Sequence, residues 1–172
     1  MLEALAWRPE RVNAVAGEVS PGPRGAPAVV AHTPRQARAA LTMAGPRGVV
    51  LLSAPSAAGH MGVAWFLALV AQARKDLGCG APPHWAALDC GDAPGFALSA
   101  LRAGARLLVL DPAAPAFPAV AAAATEVGAA LWAERPPALD LSGLDLRETG
   151  RGNGRLAEWL TGGAVTGRPG LG

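Results

Sequence analysis

Val49-Val50-Leu51-Leu52-Ser53-Ala54-Pro55-Ser56-Ala57-Ala58-Gly59-His60 is the stretch whose reading decides the fold. Its first four residues are apolar without alternation, the pattern of a strand buried on both faces, as parallel strands are. A small, polar turn follows, and then an apolar run, Val63–Ala71, with helical length. The same succession recurs on either side. Val29–His32, Trp85–Asp89 and Leu107–Asp111 are short apolar runs that end in polar residues and open a helix-like segment.

The helix boundaries are marked by cap chemistry. Thr33-Pro34 sets a capping hydroxyl before a proline at the first helical position, and Gly45-Pro46 ends the segment. Further helices are expected over about 60–75, 93–103 and 113–127, with a fifth strand at Ala129–Trp132. Strands alternating with helices of ten to sixteen residues imply βαβ crossovers and a parallel sheet. The expected fold is therefore α/β, an open doubly wound parallel sheet of four to five strands. Half of a β/α barrel is the alternative. Residues 1–26 read as a leader, poorly ordered or docked, punctuated by Ser20-Pro21-Gly22-Pro23. Residues 27–133 form the α/β domain. Residues 134–172 read as an extended segment on the body, with a short helix near Arg155–Leu160 and a glycine-rich, mobile tail.

Composition removes several classes of function. Charged residues make up only 16% and the net charge is +2, without the basic run of a nucleic-acid surface. The longest apolar run falls far short of the roughly 20 residues of a membrane span, and the N-terminus lacks a signal-peptide pattern. Cys79 and Cys90 make neither a disulfide framework nor a CxxC pair. A cytoplasmic protein is expected, one that engages neither nucleic acid nor membrane.

Ligand-contacting groups of open α/β sheets lie at the carboxyl ends of the strands. At that edge the sequence sets His32 and Thr33, then Ser53, Ser56, Gly59 and His60, then Asp89 and Asp92, then Asp111. Small residues from Ser53 to Gly62 allow close backbone approach, and a helix start favours an anion. No lysine follows them, so the stretch is not a triphosphate loop. Asp89 and Asp92 have the spacing of carboxylates that hold a divalent cation or act as a base. Asp92, just before Ala93-Pro94, is better explained as a helix cap, and no metal is assigned. Cys90 reads as a buried hydrophobe rather than a nucleophile. In a 2-1-3-4-5 strand order His32 meets Asp89, and in a 3-2-1-4-5 order it meets Asp111. His32 and Asp89 are the catalytic candidates, and Thr33, Ser53, Ser56, Gly59, His60 and Asp111 the binding candidates. Gly152-Asn153-Gly154-Arg155-Leu156-Ala157 matches GxGxxA but opens no βαβ unit, so it is a chance match.

Two functions follow as expectations. One is a small-molecule-binding domain for an anionic metabolite at the C-terminal edge of the sheet. The other is a non-catalytic module of a larger assembly that associates with a partner protein or as a homo-oligomer. The apolar circumference of the helix around Trp65 and Phe66 supports the second. The sequence leaves open both the cofactor, if one is used, and whether the chain is an enzyme.

Overall fold

A computed structural model describes residue 23 and residues 25–147 and 150–162. The reading of residues 1–26 as a leader therefore lies almost wholly outside the described residues, as does that of the tail beyond 162. Six strands form one open, parallel sheet: β1 (Ala28–Val30), β2 (Val49–Leu52), β3 (His84–Asp89), β4 (Leu107–Val109), β5 (Ala130–Trp132) and β6 (Ala138–Asp140). They lie in the order β5-β4-β3-β2-β1-β6, and the sheet does not close into a barrel. The α/β class and the parallel, open sheet are as expected. The sixth strand is added by Leu139-Asp140, read from sequence only as an extended segment.

The strand order replaces both orders weighed above. From β1 to β5 every crossover steps the same way, so right-handed connections bring the helices to one face. Helices α1 (Pro34–Met43), α2 (Ala57–His60), α3 (Val63–Lys75), α4 (Pro94–Arg102), α5 (Phe117–Glu126) and α6 (Gly152–Thr161) all contribute buried side chains to a single core. That core takes Val29, Leu51, Leu88, Leu108 and Leu139 from the strands. The intervening residues point the other way, because successive Cβ atoms of a strand alternate. Val30, Val50, Leu52, Ala87, Leu107 and Val109 form a second cluster, to which no described helix contributes.

Thr33 caps α1 as expected, its hydroxyl accepting the Gln36 N–H at 3.2 Å. The helix expected over about 60–75 is α3, which begins at Val63, and the short α2 precedes it across a break at Met61-Gly62, where Gly62 has φ +78°. The apolar circumference of α3 sorts by size. Phe66, Leu69, Val70 and Ala73 are buried, and the exposed apolar positions are the small Ala64, Ala68 and Ala71. Gly152–Ala157 lies inside α6 and not at a strand-to-helix turn, so the GxGxxA match has no dinucleotide-binding geometry.

Candidate functional site

At the C-terminal edge of β2 and β3 a polar network is built around Asp89, which is 5% exposed. Its Oδ1 accepts the backbone N–H groups of Ser56 and Gly91, each at 2.9 Å. Its Oδ2 pairs with Nη1 of Arg135. The second guanidinium arm, Nη2, donates to the Ser53 carbonyl at 2.7 Å. Ser53 is fully buried, and its hydroxyl accepts the Asp89 N–H at 2.9 Å and donates to the Ala54 carbonyl at 3.1 Å. A carboxylate held by two backbone amides and a guanidinium is a fully compensated buried charge.

The backbone around this network is specialised. Ser56 adopts a left-handed conformation, φ 54°, uncommon for a residue with a side chain. That conformation aims its N–H at Asp89. Gly91 has φ +58°, and a Cβ there would stand 2.3 Å from Ser56 Oγ. Only glycine fits.

Ser56, Asp89, Gly91, Asp92, Asp111 and Arg135 converge on one hollow of about 510 Å³, with Val109, Pro112 and Ala133 completing its wall. Alternation places Asp89 on the same side of the sheet as Trp85 and Ala87, the side without described helices. Arg135 arrives there from the short β5–β6 connection. Asp111 is exposed, its Oδ1 accepting the Ala113 N–H at 2.8 Å while its N–H donates to the Gly91 carbonyl at 2.7 Å. Asp92 does not cap α4: Ala93 occupies the cap position without a side-chain bond, because Pro94 opens the helix. The Asp92 carboxyl is left on the wall of the hollow.

The other candidates lie elsewhere. His32 turns toward β6, its Nε2 standing 2.8 Å from Asp140 Oδ1, because β6 and not β3 or β4 is the outer neighbour of β1. It does not meet Asp89 or Asp111 in the hollow. Burial raises the Asp140 pKa, but the Ser142 N–H and His32 outweigh it, and the carboxyl titrates below the usual range. The Thr33 hydroxyl is committed to its cap. Gly59 packs on the Phe96 ring, a Cβ there standing 3.1 Å from it, and His60 is exposed at the end of α2. Neither lines the hollow. Cys90 is buried in the helix-side core. Burial, reinforced by the Asp89 charge, pushes its thiol up to about 12, so it is no nucleophile at neutral pH.

Arg135 is the residue that sequence reasoning missed. Its one local signal is its position just after a strand, in Glu134-Arg135-Pro136-Pro137, where charge precedes a turn. Nothing nearby in sequence indicates its partner. Among the described residues no group of three or more His, Cys, Asp or Glu side chains is arranged to hold a metal. No family model, curated protein or solved structure matches the chain, so the function rests on this geometry alone.

Proposed function

We propose that the chain is a small-molecule-binding α/β domain whose site is the hollow at the C-terminal edge of β3 and β4. The observation that carries this reading is the convergence of Ser56, Asp89, Gly91, Asp111 and Arg135 from separate loops on one cavity. Its floor is rigid, since Asp89 is bonded on both carboxyl oxygens. A preorganised polar floor is what a ligand site needs to bind without a reorganisation cost.

The charges of the hollow favour a ligand bearing an amine or several hydroxyls over the anion expected from the sequence. Asp89 is neutralised by Arg135, whereas Asp92 and Asp111 have no ion-pair partner among the described residues. The His32 imidazole, which stands outside the hollow, is engaged with Asp140 and offers them no offset. The hollow therefore presents acceptors and net negative charge.

Thermal-shift and NMR screening of amines, polyols, carboxylates and phosphates against the folded chain tests this. Amines or polyols should stabilise the protein and shift the amides of Ser56, Gly91 and Asp111. Asp111→Asn should weaken an amine ligand roughly tenfold, the loss of one charge-assisted hydrogen bond. Stabilisation by anions that is enhanced in Asp111→Asn would overturn the ligand class. A screen without any stabilising ligand would shift the reading to a non-catalytic association module.

A further inference from the structure

The connection from β5 to β6, residues 133–137, is too short for a flat sheet. These are the two edge strands, and in a flat sheet they would stand about 24 Å apart. From Trp132 to Ala138 the chain reaches at most about 22 Å. The sheet is therefore curved, and the connection straps its concave side. Arg135 of the strap lines the hollow, whereas Glu134, Pro136 and Pro137 line a second, mostly apolar cavity of about 780 Å³. Trp132 of β5 and Trp159 of α6 stand in its wall with Ala28 and Val50.

We propose that this cavity binds a zwitterion of dipeptide size, with an apolar, ring-bearing body, a carboxylate and an ammonium group. The wall is the first argument. Trp132 and Trp159 are half-buried, so each keeps ring surface for a ligand to cover. The Trp159 indole N–H donates to the Ala28 carbonyl at 2.7 Å, and Pro136-Pro137 has its φ angles fixed. A wall set before binding costs little to order. Size is the second: the volume falls in the range of small-ligand pockets, about 300–1,000 Å³. Charge is the third. Arg47 and Glu134 also line the cavity, both are exposed, and neither has an ion-pair partner among the described residues. The Arg47 guanidinium is held by Nη2, which donates to the Leu160 carbonyl at 3.3 Å. A guanidinium suits a carboxylate, and Glu134 suits an ammonium. A ligand with only one of these charges leaves the other residue unmatched.

The test titrates the isotope-labelled full chain with the dipeptide phenylalanyl-leucine, its N-acetyl form and its C-terminal amide. The free dipeptide should shift the indole N–H signals of Trp132 and Trp159, while that of Trp65, which packs against the helix-side core, should stay in place. Acetylation and amidation should each weaken binding about tenfold, the loss of one charge-assisted hydrogen bond. Arg47→Gln, at an exposed position, should leave the fold intact and abolish the penalty of amidation but not that of acetylation. Equal binding of the three forms would overturn the proposal, as would unmoved Trp132 and Trp159 signals at millimolar dipeptide. Shifts confined to the amides of Ser56, Gly91 and Asp111 would overturn it too while leaving the hollow as a ligand site. So would concentration-dependent shifts of the two indoles without dipeptide, since a second copy would then fill the cavity.

Discussion

Arg135 and Asp89 carry the most weight among single residues, since together they hold the edges of β2 and β3. The Asp89 side chain is 7% exposed and that of Arg135 26%. Removing one partner strands the other. Arg135→Ala should therefore destabilise the fold by about 3 kcal/mol, the low end for breaking a buried pair because the guanidinium keeps some water. Denaturant titration checks it, and an unchanged midpoint would show that Ser53 and Asp89 manage without the cation. Gly91→Ala should cost about 1–3 kcal/mol, since alanine at φ +58° must also displace the Ser56 hydroxyl. Cys90 and Cys79 should separate cleanly in thiol labelling. Cys79 is exposed and should react in the native state, whereas Cys90 should react only after unfolding. Of this residue-scale picture the sequence showed Asp89, Ser53 and Ser56 as an edge set. Arg135 lies 46 positions from Asp89, and no local pattern encodes a pairing at that distance.

Elements show where local rules suffice and where packing intervenes. The start of α1 was legible because a cap is local chemistry: Thr33 and Gln36 are three residues apart. Thr33→Ala should cost about 1 kcal/mol, read by the same titration. The strand β6 was only half legible. Leu139 and Leu141 alternate with Asp140 as a strand does, but a short run carries no record of its neighbour. It pairs with β1 and buries Leu141 in the helix-side core. Leu141→Ala should cost about 2–5 kcal/mol.

The edge between β1 and β6 also carries a pH signature. The folded Asp140 carboxyl titrates below its unfolded value, so its contribution is present above the ordinary aspartate pKa near 3.9. It is lost as pH falls through the lowered folded value. Asp140→Asn should flatten this part of the acid limb of stability against pH. The effect should be modest, because Asp140 is half exposed. An acid limb identical to that of the parent would remove Asp140 from the account.

At the scale of the whole molecule, the repeated strand-turn-helix pattern determined by itself that the chain makes a parallel α/β sheet. It also determined that the polar residues after the strands share one edge. Periodicity, caps and turn residues are properties of neighbours in sequence, and each needs only a few consecutive positions to act. The order of the strands was decided by the tertiary structure. Both orders weighed from sequence place His32 beside a carboxylate of the third or fourth strand. The observed order, β5-β4-β3-β2-β1-β6, gives it Asp140 instead and leaves the hollow to Asp89, Asp92, Asp111 and Arg135. That choice depends on which apolar faces bury best together across the whole sheet, a balance to which every element contributes. The candidate site is accordingly part sequence and part fold: the edge is written locally, and its membership is set by which strands lie side by side.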